Sequence, residues 1–348
     1  MALHFAFVAC NRNPALFQHD ASYIYRCDNL SRALREGGHQ VSLLHLTEFP
    51  FRHRFDVVVF HRPCYSLRLR LALAAARRRG AVAIADVDDL IFDDEFVEYS
   101  PAVRNGLLPL DAVRRQFSAH RRALALFDHI TVSTEPLADL ARRQFAAAQV
   151  VVIPNAVHHQ WRSCTASSSA SDSYKVITYL PGTRSHDRDF AQAAPALAEL
   201  LARYPEVRLQ VTGPLDFDLP ARPGQVVRQH KVPFDAYHTH VQAAWVNLAP
   251  LEGTPFTRCK SALKVMEAGY WGIPTVSTPI PDVLRFTEAG AVPAVAPEAW
   301  LERLEELLDP LHYQAMTQDL RARVLALADV DAMAERLLTF VASSQPDT

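Results

Sequence analysis

APLEGTPFTRCKSALKVMEAGYWGIPTVSTPIPD, residues 249–282, is the stretch that decides the fold. It begins at the end of an apolar run, residues 246–250, and crosses a polar loop through Gly253 and Pro255. The spacing then predicts a helix over residues 261–270, stopped at Gly272, and Pro274 opens a short strand, TVST. Strand, loop, helix, strand is the repeating unit of a parallel α/β sheet. In such sheets ligands bind beyond the carboxyl ends of the strands, where loops enter helices.

The chain has only four lysines, Lys175, Lys231, Lys260 and Lys264, and two of them fall within five residues in this stretch. Lys260, Lys264 and Glu267 recur at i, i+4 and i+7, so they share one helix face. A helix N-terminus attracts anions through its free N–H groups and its dipole. Two ammonium groups beside it make a diphosphate site. A carboxylate two turns in can accept two hydrogen bonds from neighbouring hydroxyls, as on a ribose. The competing reading is a surface ladder of salt bridges. The apolar neighbours Leu263, Val265, Met266 and Trp271 favour a buried helix instead.

The segment FTRCKSALKVMEAGYWGIPTVST resembles the nucleotide-sugar-binding region of retaining, group-1-type glycosyltransferases with the GT-B fold. It is most similar to bacterial members with a K-S-x-x-K-x-x-E helix, which serve surface polysaccharide or O-antigen synthesis. The resemblance implies that Glu267 holds the nucleotide ribose. The wider family carries another Glu eight residues earlier, where this chain has Cys259. Glu252 or the loop at 260–261 takes over that role, or the role is absent.

Composition narrows the class. The 348 residues suffice for two domains, and 49% hydrophobic residues fit a globular protein with a sizeable core. A net charge of −2 gives no support for nucleic-acid binding. Five cysteines without metal spacing read as free thiols in a reducing compartment. No apolar run reaches the roughly 18 residues of a membrane span. MALHFAFVAC reads as a first buried strand, not a signal peptide, so a cytoplasmic location is expected.

Outward from the opening stretch, residues 3–9, QVSLLHL and FDVVVFHRP read as the first three strands, with a helix from about 23 to 37. The G-x-G-x-x-G dinucleotide fingerprint is absent. In GT-B enzymes this half shapes the acceptor site, which makes Arg26, His61 and Arg62 candidate acceptor-binding residues. A strand then runs into AVAIADVDDLIFDD, where Asp86, Asp88, Asp89 and Asp93 cluster. Clustered carboxylates repel one another unless something pairs with them. The cluster admits a D-x-D metal site, a haloacid-dehalogenase-like nucleophile motif lacking its hydroxyl residue at Leu90, or the D-x-D-D-L motif of the related glycosyltransferases. In that last reading Asp88, then Asp89, orients the acceptor hydroxyl or assists its deprotonation.

HITVST and VVVIPNAV complete the first half, and the Ser-rich residues 161–173 read as a linker. YKVITYL, VRLQVTG, VVRQHKV and WVNLAP supply the strands of the second half. The loop PGTRSHDRDF places Gly182, Thr183, Arg184 and His186 at a strand end, as a donor-binding loop together with Lys260, Ser261, Lys264 and Glu267.

The expectation is therefore a GT-B α/β protein with two Rossmann-like domains facing a cleft. Residues 1–160 bind the acceptor, 174–330 bind the nucleotide sugar, and 331–348 form a helix crossing back to the first domain. Lys260, Asp88 and Asp89 are the expected catalytic residues. No cofactor and no obligatory metal are expected. The partners are a nucleotide-sugar donor and a glycan or lipid-linked acceptor, with no nucleic acid; peripheral contact with the inner membrane stays open. The rivals are a nucleotide-sugar epimerase, a non-catalytic nucleotide-sugar-binding partner and an Asp-dependent phosphatase.

Overall fold

The computed structural model describes residues 2–11, 13–165 and 174–344. Residues 166–173 of the expected linker and 345–348 of the expected last segment lie outside the described residues.

Two parallel sheets of six strands form the frame. The first is ordered β2-β1-β3-β4-β5-β6. Its strands are β1 (His4–Ala9), β2 (Gln40–His45), β3 (Val57–His61), β4 (Val82–Val87), β5 (His129–Val132) and β6 (Gln149–Val152). The second is ordered β12-β11-β10-β7-β8-β9. It comprises β7 (Lys175–Tyr179), β8 (Val207–Thr212), β9 (Val226–Gln229), β10 (Val246–Ala249), β11 (Thr275–Ser277) and β12 (Ala291–Pro293). The last of these escapes the sequence reading.

Strand alternation sorts the first sheet into two cores. Ala6, Val8, Val58 and Phe60 face one layer. Phe5, Phe7, Val57 and Val59 face the other. The helix Val330–Ser343 lays Met333, Ala334, Leu337, Phe340 and Val341 on that second face, so the chain ends against its beginning. Trp161 is fully buried beside Tyr270 and Trp271, and residues 161–163 belong to a 3-10 turn, His159–Ser163, so the expected linker begins in ordered structure.

Two glycines let the second half close tightly. Gly213 follows β8 at φ +132, and a Cβ there would meet Pro181 O at 2.2 Å. Only glycine allows these two strand-end loops to approach. Gly269 faces Val324, where an added Cβ would sit 2.7 Å from a methyl group. This seats the helix Leu263–Tyr270 against the helix Leu320–Ala328. The loop after β4 faces the loop after β10, where Lys260 meets Asp89. Among the described residues no helix is long and apolar enough to cross a membrane.

Candidate active site

β3 and β4 pair in register with His61 opposite Asp86, so their exits share one edge. Asp86 is buried and fully engaged. Arg26 donates to it at 3.1 and 2.6 Å, Thr131 donates at 2.8 Å, and His61 Nδ1 lies at 3.0 Å. Burial alone would raise its pKa. The Arg26 guanidinium and the His61 and Arg26 hydrogen bonds outweigh that and hold it at about 2. Arg26 is thus no acceptor-phosphate ligand: its side chain is 1% exposed, and it also donates to Ile153 O. His61 is likewise withdrawn from the cleft, with Nε2 at 2.9 Å from Ser22 Oγ. Both acceptor-binding expectations are corrected, for one reason. The buried carboxylate needed partners, and these two side chains supply them.

Arg62 does reach the cleft. Its backbone adopts φ +47, an uncommon conformation for a residue with a side chain. From there the guanidinium forks, with Nε donating to Asp88 at 2.6 Å and Nη2 to Asp89 at 2.8 Å. Ser22 Oγ also donates to Asp88, at 2.5 Å. Burial would raise the Asp88 pKa, yet Arg62, His61 and the hydrogen bonds from Arg62 and Ser22 hold it well below the usual carboxylate range. Such a carboxylate orients a hydroxyl by accepting its hydrogen bond and is a weak base. Asp86, His61 and Ser22 stand in the order of a nucleophile relay, but the serine hydroxyl is committed to Asp88. A neighbouring carboxylate also opposes the oxyanion that such a nucleophile would generate. Asp93 caps the turn Asp94–Tyr99, accepting from Glu95 N at 3.1 Å, and stands apart from this cluster's pairing.

The lysine motif meets the aspartates directly. Lys260 Nζ donates to Asp89 at 3.1 Å. Burial would lower the Lys260 pKa, but Asp89 more than compensates and raises it. The flanking residues are also clasped by the first half. Thr134 donates to Cys259 O at 2.9 Å, and Asn155 Nδ2 donates to Ser261 Oγ at 2.9 Å. The Cys259 side chain itself enters the hydrophobic core of the first half, and burial pushes its thiol up to about 12. A glutamate there would bury an unpaired charge, which explains the broken pair of glutamates.

Lys264 differs from Lys260 and Arg62, which hold the aspartates. Its Nζ has no hydrogen-bond or ion-pair partner among the described residues, and burial lowers its pKa. It lies in the first turn of Leu263–Tyr270, whose N-terminus no side chain caps. Glu267, by contrast, is closed off. Tyr25 donates to Oε1 at 2.5 Å and Tyr237 to Oε2 at 2.9 Å, and the residue is 3% exposed. Burial raises its pKa. In this structure Glu267 ties Tyr25 of the first half to Tyr237 of the second, and a ribose would have to share or displace these tyrosines.

The loop after β7 borders the same space. His186 Nδ1 lies 2.9 Å from Asp189, and burial and then, beyond the Asp189 bond that opposes it, Lys264 lower its pKa. Gly182 O accepts from Lys231 at 3.0 Å, and Thr183 Oγ1 pairs with Ser185 Oγ. Arg184 points outward, 60% exposed and 3.4 Å from Asp216. Glu252 is clamped by Arg188 and, across the cleft, by Arg104. Those hydrogen bonds hold its pKa at about 2. Asn105 adds a bond to Ser185 O at 2.8 Å. Among the described residues no group of three His, Cys, Asp or Glu side chains is arranged to hold a metal ion.

No family model matches the sequence, and no curated protein sequence does. Solved structures do. AviGT4, a glycosyltransferase involved in avilamycin A biosynthesis, superposes with a TM-score of 0.60 at 17% identity, covering 98% of this chain and 97% of that one. WaaG, a glycosyltransferase involved in lipopolysaccharide biosynthesis, gives 0.60 at 13% identity over 97% and 99%. The fold is GT-B. The pneumococcal O-GlcNAc transferase GtfA, in complex with UDP and GlcNAc, gives 0.54 at 14% identity. This chain spans 57% of GtfA's length.

Within this GT-B frame the sequence reading located both polar clusters but missed several partners. Ser22, Tyr25, Arg104, Thr134 and Asn155 carry bonds that join the two halves or set the aspartates. Among them, Tyr25 near the start of the first helix and the P-N-A turn containing Asn155 are visible in the sequence.

Proposed function

We propose that the protein is a glycosyltransferase that takes a sugar from a nucleotide-sugar donor and passes it to a glycan or lipid-linked acceptor. The observation that carries this reading is Lys264: a half-buried ammonium with no hydrogen-bond or ion-pair partner among the described residues, in the first helical turn after Ala262, in the cleft of a GT-B fold. That combination suits the diphosphate of a donor. GtfA, which shares the fold, is complexed with UDP and GlcNAc.

In this reading the bond from the anomeric carbon to the leaving phosphate breaks as the acceptor oxygen attacks. Charge gathering on the diphosphate is met by Lys264, Lys260 and the helix N–H groups. The acceptor hydroxyl is oriented by the Asp88 and Asp89 carboxylates. Retention of the anomeric configuration is part of the proposal, with the leaving phosphate taking the acceptor proton. So are independence from metal, a role in bacterial surface polysaccharide synthesis, and a cytoplasmic location with peripheral contact at the inner membrane.

The test is turnover of a panel of nucleotide sugars in EDTA. A transferase releases nucleoside diphosphate from one donor, and faster with acceptor. Interconversion of free nucleotide sugars without release would point to an epimerase, and binding without turnover to a non-catalytic partner. Phosphate release that requires magnesium would point to a phosphatase. The last is disfavoured because Asp86, which opens the motif, has both oxygens occupied.

A further inference from the structure

Asp88 and Asp89 are adjacent in sequence but differently committed. Both Asp88 oxygens are occupied from within the first half, by Arg62 and Ser22, and its side chain is 12% exposed. Asp89 is 25% exposed. Its Oδ2 is held by Arg62, while among the described residues its Oδ1 has only Lys260, a residue of the second half. The charges of Asp88 and Asp89 are balanced by Arg62 and Lys260. Lys264 contributes one further ammonium, itself opposed by Glu267, which is too little by itself for a diphosphate carrying about two negative charges.

We infer that Lys260 is an exchangeable partner: the donor's diphosphate draws it off Asp89, and the released Oδ1 becomes the carboxylate oxygen that orients the acceptor hydroxyl. This deepens the donor-binding reading and rests on it. The exchange needs no opening of the cleft. Thr134 and Asn155 pin Cys259 and Ser261, so the Lys260 backbone stays in place and only its flexible stem rotates. Lys260 lies in extended backbone just ahead of the helix, and Lys264, in the first turn and electrostatically coupled to it, marks where the ammonium goes. Arg62 stays with both aspartates and prevents their mutual repulsion. The acceptor side is thereby armed only once donor is present, and donor binds first.

A double-mutant cycle tests this without any knowledge of the acceptor. Uridine, guanosine and thymidine diphosphates are titrated by calorimetry in EDTA against the wild type, Asp89→Asn, Lys260→Ala and the double variant. Melting curves confirm that each is folded. Removing the competitor should tighten the bound diphosphate about tenfold in Asp89→Asn, and Lys260→Ala should weaken it by a similar factor. In the double variant the gain from Asp89→Asn should vanish. Unchanged or weaker binding by Asp89→Asn overturns the exchange. An equal gain with and without Lys260 also overturns it, since the effect would then be general charge removal. If no diphosphate binds the wild type, the donor reading itself fails, and the exchange with it.

Discussion

The two walls of the cleft are built on opposite principles. On the first wall each buried charge has a partner: Asp86 with Arg26 and His61, Asp88 with Arg62 and Ser22. On the second wall Lys264 has no hydrogen-bond or ion-pair partner among the described residues, with Glu267 as its opposing charge. The only carboxylate at the helix start among the described residues is Asp282, on the Ala262 N–H. The first wall spends its charges on holding shape. The second keeps an ammonium without a hydrogen-bonded partner, which an anionic ligand can engage. Site residues are thus better sought where polar groups are left unmet than where they are most crowded.

The sharpest way to break this contrast is to remove a partner from the first wall. Arg26→Met strands the buried Asp86 carboxylate and should cost about 3–5 kcal/mol in urea unfolding. A loss under 1 kcal/mol would mean that the network is not structural. On the second wall the opposite outcome is expected. Lys264→Ala should leave the melting temperature unchanged or raised, because it removes an unpaired half-buried charge. The same change should weaken diphosphate binding about 10- to 100-fold, as for a hydrogen bond to a charged group. Calorimetry and thermal melts on one sample read both.

Acid sharpens the comparison further. The Asp86 pKa falls from an ordinary 3.8 to about 2 in the fold. A depressed carboxylate stabilises the folded state above its unfolded pKa and loses that contribution as pH falls through the folded value. The window here is about pH 4 down to 2, and roughly 2 kcal/mol should disappear across it. Asp86→Asn should flatten that part of the stability profile. The smallest effect belongs to the bridge between the walls. Tyr25→Phe removes one of two hydrogen bonds to buried Glu267 and should cost about 1 kcal/mol. A loss above 3 kcal/mol would make that bridge a main support of domain closure.

Much of this frame is legible in the sequence because strands such as VVVFH and VAIADV announce themselves by β-branched runs ending in polar residues. β12 is not, since Ala291–Pro293 offers three residues and a proline. Both polar clusters are visible as well, the aspartates by crowding and the lysines by rarity. Their contact is not, because Lys260 and Asp89 lie 171 residues apart and no local periodicity links them. Arg26 was placed at the cleft by its position near a helix start. A turn of π-helix over Ile24–Asp28 changes the angular spacing there. Tyr25 reaches Glu267 while Arg26 turns into the sheet. Glu267 keeps the expected helix position, but two tyrosines from distant segments occupy it.

The most direct measurement is the position of a bound nucleoside diphosphate in a crystal of the complex. The account predicts phosphate oxygens about 3 Å from Lys264 Nζ and at the N-terminus of Leu263–Tyr270. A diphosphate seated elsewhere, with Lys264 still unpartnered, would contradict it.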